Sequence, residues 1–274
     1  MSYPLSPINT VLLPEFQAWT DEFGLVQDND QEITTGNGIL YTAHYLVGLK
    51  EKGLLTVQEQ DRVMAVFHSC EVLPGVFKRA PARKDGDYQA HDDPIGIMGA
   101  EGKLFPNRKD RLLSQSIFEY GNNIRAEELD STEQNPSKQA QNKWALWAIK
   151  LLQIPRKYVW NNKNPGKFHV NAWLGLRIDV IATMKLATGK AICPLQWLYW
   201  AFYMLSVKKG SSHDSFILRY HMILAAEGYG PLTDMVCKKT RAKIFEVFPD
   251  FGQLLSEYFN KPQHPLVKLL ENVK

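Results

Sequence analysis

The sequence predicts an all-α protein of packed antiparallel helical hairpins. Three observations carry that expectation. Apolar residues recur at helical spacing through most of the chain, as in Val63, Val66 and Phe67. Helix-start residues and helix-ending glycines punctuate these runs: Asn37 with Gly53, Thr56 with Pro74-Gly75, Ser212 with Gly228. No segment alternates polar and apolar residues over the length of a strand. Connections between successive helices are short, which favours antiparallel neighbours.

Taken in order, residues 1–35 hold Pro4, Pro7 and Pro14 and a small apolar patch at Phe16–Trp19, so they read as an arm that packs on a helical body spanning 36–274. Asn37 caps a helix through Gly38–Val47. Thr56-Val57-Gln58-Glu59 is a capping box that opens the next. Residues 78–84 form a basic loop. Pro94 favours a helix start with Asp93 as its N-cap. The stretch 106–143 is a polar excursion with a short helix over Leu112–Tyr120, and Glu127–Asn142 is its most exposed part. Ser137 caps a helix carrying Trp144, Trp147 and Leu151. Trp173–Ala187, Leu195–Val207, Phe216–Glu227, Thr233–Phe248, Phe251–Phe259 and Leu266–Val273 complete the helices.

Composition narrows function by exclusion. The chain has 274 residues, 32 basic and 29 acidic, and that balance gives no strong nucleic-acid signal. Cys70, Cys193 and Cys237 are scattered and odd in number, against a disulfide framework or a zinc knuckle. The N-terminus lacks the basic and apolar regions of a signal peptide, and the apolar run Cys193–Val207 is too short to span a membrane. The expectation is synthesis and residence in a cytoplasm. No phosphate-binding glycine loop, H-E-x-x-H or G-x-S-x-G motif occurs.

Two His-Asp segments stand out, His91-Asp92-Asp93 and His213-Asp214, each opening a predicted helix. Helix starts account for the aspartates, whose side chains accept backbone N–H bonds there. They do not account for the histidines. His213, Ile217, Tyr220 and Leu224 fall on one helical stripe, which predicts an inward-facing imidazole. If the segments meet, they offer a proton-transfer site or the ligand types of a divalent metal. Tyr41 and His44, three residues apart, share a helix face and form a candidate substrate-binding and acid–base pair. Trp173 and Arg177 on a later helix are further candidates, for an anion or carboxylate.

The segments Asn37-Gly38-Ile39-Leu40-Tyr41-Thr42-Ala43, His91-Asp92-Asp93-Pro94-Ile95-Gly96-Ile97 and Phe118-Glu119-Tyr120-Gly121-Asn122, with the Trp173–Gly189 helix, resemble an uncharacterised group of tailed-bacteriophage proteins. That resemblance implies a phage-encoded virion component or accessory protein, partnered by other virion proteins and made in the host cytoplasm. It implies no reaction. A second similarity, of architecture, is to α/α-toroid enzymes that act on polysaccharides. It leaves a glycan-active lyase or hydrolase as one alternative and a metal-dependent hydrolase using both His-Asp segments as another.

Overall fold

The computed structural model describes residues 13–27, 37–77, 92–123 and 178–274. Among them the all-α expectation holds. The helices are α1 (Gly38–Glu51), α2 (Val57–Cys70), α3 (Asp92–Leu104), α4 (Leu112–Asn123), α5 (Ile178–Thr188), α6 (Pro194–Leu205), α7 (His213–Ala226), α8 (Pro231–Val247), α9 (Phe251–Phe259) and α10 (Pro265–Leu269). One hairpin was not expected, pairing β1 (Glu71–Leu73) with β2 (Val76–Phe77) around Pro74-Gly75. Its strands are too short to show alternation in sequence. The predicted Ser137–Leu151 helix, the Glu127–Asn142 excursion and the basic loop lie outside the described residues, as do His91, Trp173 and Arg177.

Local chemistry sets the boundaries. Thr56 accepts a hydrogen bond from the Glu59 amide, as the capping box predicts. The Glu59 carboxylate, however, turns away to accept from the Tyr45 hydroxyl (2.9 Å) and Arg62 Nε (2.9 Å), tying α1 to α2. Gly189 and Gly228 follow α5 and α7 at φ of +72° and +74°, a backbone that a Cβ disfavours. Helix α3 begins at Asp92, so Asp93 is a buried residue of its first turn rather than its N-cap. Helix α7 begins at His213, earlier than the apolar run suggested, because Asp214 and Ser215 continue its first turn.

Helix α3 is the axis. Every residue from Asp93 to Glu101 is buried, and the helix packs against α1, α4, α5 and α7. Glycines permit the closest approaches. A Cβ on Gly96 would lie 3.0 Å from a Leu40 side-chain carbon, one on Gly99 would lie 2.4 Å from His221 Nδ1, and one on Gly102 would lie 2.2 Å from the Leu224 carbonyl oxygen. These contacts, with the Lys103–Glu51 ion pair, run in the same order along each helix. Helices α1, α3 and α7 are therefore parallel, with their N-termini at one end. The described residues pack around a central helix, and these contacts among them do not trace a ring of hairpins.

The other helices run back. Trp200 Nε1 donates to Thr183 Oγ1 (3.1 Å) and Lys185 Nζ to Gln196 Oε1 (2.9 Å), making α5 and α6 antiparallel. Phe251 stacks on Tyr220 at 4.2 Å, and Glu257 meets His213, so α9 runs antiparallel to α7. Phe248 on Phe216 and Arg241 on Glu227 do the same for α8. Hairpins α5–α6 and α7–α8 thus match the sequence expectation.

Two arginines from the supposed polar excursion close the opposite end. Arg111 is 1% exposed and donates to the carbonyls of Phe105, Ala187 (3.1 Å) and Ala225 (2.8 Å). Arg108 donates to Leu186 (2.9 Å), Glu227 (2.7 Å) and Gly228 (3.1 Å). Together they satisfy the last carbonyls of α5 and α7 and place positive charge at the negative ends of both helices. The first part of 106–143 is thus a clamp within the fold and not a surface excursion.

The described part of the arm, residues 13–27, docks on the body. Phe16, Leu25 and Val26 are wholly buried. The Val26 amide donates to Thr42 Oγ1 (2.9 Å), and His264 Nε2 bonds the Gln27 carbonyl oxygen at 2.7 Å.

Candidate functional site

The parallel α1, α3 and α7 bring their first turns to one end of the bundle, and most of the sequence candidates arrive with them. Helix α1 supplies Asn37 and Tyr41, with Asn37 Nδ2 donating to the Tyr41 hydroxyl at 3.3 Å. Helix α3 supplies Asp92 and Asp93, and α7 supplies His213 and Asp214. Helix α9, running the other way, delivers Glu257 and Tyr258 to the same place.

Tyr258 joins these pieces. Its phenol is hydrogen-bonded to that of Tyr41 and lies within electrostatic reach of both Asp214 and Asp92. Burial, first, and then these neighbours push its ionisation well above the usual tyrosine range. Tyr258 therefore stays a neutral hydroxyl at physiological pH. Asp92 and Asp214, one from each His-Asp segment and about 120 residues apart, thus both act electrostatically on one phenol. Asp92 is half-buried and Asp214 exposed, while Tyr41 and Asp93 at the same end of the bundle are buried.

The histidines behave differently from the expectation. His91 lies outside the described residues. His213 does not point inward: its side chain is 42% exposed, its Nε2 is 3.4 Å from Glu257, and its ring rests on Phe248. Ile217, Tyr220 and Leu224 on the same stripe are buried. His213 differs because it opens the helix, where the stripe runs out past the edge of the core.

His44 also departs from its expected role. It is wholly enclosed, and its Nδ1 lies 2.6 Å from Nε2 of His221 across the α1–α7 contact. Tyr41 sits one turn away with its ring centroid at 6.3 Å, and its hydroxyl faces Asn37 and Tyr258 instead. An acid–base pair of Tyr41 and His44 is therefore not formed. The two imidazoles stack at 4.7 Å, with Phe251 edge-on to His44. In either tautomer one ring donates and the other accepts. The outer nitrogens, His44 Nε2 and His221 Nδ1, have no hydrogen-bond partner among the described residues. Burial holds His221 down at about 3, and burial followed by the neighbouring His221 and His264 holds His44 well below its usual range. The pair is neutral at physiological pH.

Sequence reasoning missed His221, Tyr258 and Glu257. One signal was available for His221: Gly99 and Gly102, spaced by three, mark a face where α3 meets a close neighbour. Nothing local marks Tyr258.

Among the described residues no group of three or more His, Cys, Asp or Glu side chains is placed to hold a metal ion. Cys70, Cys193 and Cys237 are free and buried, and burial pushes the Cys70 thiol up to about 12. No described helix is long and apolar enough to cross a membrane. Comparison with protein-family models, with curated proteins and with solved structures finds no match.

Proposed function

We propose that the end of the bundle where α1, α3 and α7 begin binds a neutral, hydroxyl-rich ligand of the glycan type, with Asp92 and Asp214 placed for acid–base work on a glycosidic bond. The observation that carries this reading is that the first turns of the parallel α1, α3 and α7 gather Tyr41, Asp92 and Asp214 at one end of the bundle, where the Glu257–His213 contact also brings the neutral Tyr258 hydroxyl of α9. Phenols and the Asn37 amide donate and accept without fixed charge, and carboxylates accept from sugar hydroxyls. The same carboxylates repel phosphates and sulfates, which argues against nucleotides and anionic polymers. Hydrolysis of a glycosidic bond commonly uses two carboxyl groups, one giving a proton and the other assisting attack.

The phage-like motifs fit this reading as a setting. A virion component or accessory protein with a glycan-binding end would act on surface polysaccharide of the host. His91 and His213 flank the two aspartates in sequence. In this reading His213, paired with Glu257, shapes the rim rather than transferring protons.

The test is calorimetry and reducing-end release with a panel of neutral, uronate-containing and phosphorylated oligosaccharides. Neutral oligosaccharides should bind wild-type protein, and Y258F should weaken them at least fivefold. D92N and D214N should lower any turnover by about a hundredfold or more while leaving circular dichroism unchanged. A folded protein that binds no neutral oligosaccharide at millimolar concentration would defeat the proposal. Equal effects of all three variants on thermal stability alone would return the aspartates to helix-start duty.

A further inference from the structure

A separate surface lies on α6 and α8, on residues that the proposed glycan site does not use. Helix α6 turns Leu195, Leu198, Tyr199 and Phe202 to solvent, one exposed stripe at helical spacing. Phe202 is 73% exposed and Leu198 56%. Beside it α8 exposes Leu232, at 64%, and Met235. Isolated exposed apolar residues are ordinary, but a contiguous set on two adjacent helices marks an interaction surface.

The two helices are parallel. Trp197 Nε1 donates to Thr233 Oγ1 (3.0 Å) near their N-termini, and Lys243 Nζ donates to the Leu205 carbonyl at the C-terminal end of α6. Between their N-terminal turns is an open groove of about 500 Å³ lined by Trp197, Leu198, Tyr229 and Leu232. Toward the C-terminal end the exposed chemistry changes. Lys238, Lys239 and Lys243 follow Met235 along α8, and Lys208 and Lys209 follow α6. The acids nearby are few: Asp234 is turned onto the Gly228 amide at 2.7 Å, and Glu246 is exposed. The surface is thus an apolar groove at the N-terminal turns, with exposed lysines further along α8 and just after α6.

We infer that this α6–α8 groove docks an amphipathic helix of a partner protein, its apolar ridge seated along Leu198 and Leu232 and its acidic end lying over Lys239 and Lys243. The 12 residues of α6 provide a track of about 18 Å, the length of three helical turns. Its concave, two-helix shape suits a helix laid in a groove. The one-sided lysine set fixes the orientation, because like charges meeting at the basic end are unfavourable.

The experiment uses the full chain and two synthetic helical peptides. Both carry leucines at i, i+3, i+4 and i+7; one ends in three glutamates and the other in three lysines. Fluorescence of the groove residue Trp197, isolated by comparison with a W197F variant, and heteronuclear NMR report binding. The acidic peptide should bind at micromolar concentration and the lysine peptide at least tenfold more weakly, with the difference shrinking in high salt. L198E and L232E, both at exposed positions, should abolish binding while leaving the melting temperature and glycan binding in place. Equal affinity for the two peptides, or none, overturns the inference. So does binding only to anionic vesicles, or light scattering that shows the face joining two copies of this chain. Protection of Leu198 and Phe202 from hydroxyl-radical footprinting in the free protein would assign the groove to another part of the same chain and equally overturn it.

Discussion

The buried His44–His221 pair makes acid the most informative perturbation of this fold. Both imidazoles are enclosed and neutral, 2.6 Å apart, with His264 the further titratable neighbour that acts on His44. Their ionisation is depressed in the folded state, His221 from 6.5 to about 3. The unfolded chain therefore takes up protons first as pH falls. The stability tied to the pair is fully present above pH 6.5 and is lost progressively as pH falls from there toward the folded values. His221 costs about 1.4 kcal/mol per pH unit within that window. At pH 5 His221 alone should have cost about 2 kcal/mol relative to pH 7, with His44 adding in the same direction, against an ordinary domain's 5–15 kcal/mol. Replacing both rings by leucine removes the proton uptake and the two unpaired outer nitrogens, and should be close to neutral at pH 7. The assay is urea unfolding of wild type, H44L, H221L and H44L/H221L at pH 7 and pH 5. The double variant should lose at least about 2 kcal/mol less than wild type between the two pH values. Each single variant should be less stable than the double at pH 7, because one imidazole is left without its partner. A double variant with the same pH slope as wild type would refute the argument.

Three other expectations rest on separate features. R111M deletes the donors to Ala187 and Ala225 at the ends of α5 and α7; with three carbonyls left bare in the interior it should cost about 3 kcal/mol or more by chemical denaturation, and R111K should recover only part. G102A drives a methyl group to 2.2 Å from the Leu224 carbonyl oxygen, so it should destabilise by about 1–3 kcal/mol and lower the melting temperature, and an unchanged melt would mean that α3 and α7 are less tightly crossed. Ultraviolet titration should find Tyr45, Tyr220 and Tyr258 un-ionised at pH 11, since burial pushes all three above their usual value of 10.0; for Tyr258 alone, D92N or D214N should bring ionisation to lower pH.

Much of the helix framework was legible because it is written in local chemistry. Thr56 caps through its own hydroxyl, and the glycines after α5 and α7 adopt the left-handed backbone that their position demands. The end of the bundle was half legible. Aspartates in first turns were readable as complements to the helix dipole, but their common electrostatic action on Tyr258 depends on α9 returning antiparallel to α7, which no spacing encodes. The histidine reading failed for a definable reason. Stripe arguments need a helix with an outer face, and every residue of α7 from Phe216 to Ala226 is buried. On such a helix the stripe through His213 is no more inward than the row holding His221, and position along the axis decides instead. His213 lies at the helix start and meets solvent, whereas His221 lies deep beside Gly99. Arg108 and Arg111 sat in a polar stretch whose composition suggested surface; all their carbonyl partners but Phe105 come from the ends of α5 and α7, 76 or more residues away.

The most direct test of a glycan-binding end built from two distant His-Asp segments is an NMR titration with neutral oligosaccharide, using protein labelled at the tyrosine Cζ carbons. The resonances of Tyr41 and Tyr258 should shift together and saturably, and the Tyr199 resonance on the exposed face of α6 should not. Saturation at Tyr199 with Tyr41 and Tyr258 unmoved would contradict the account.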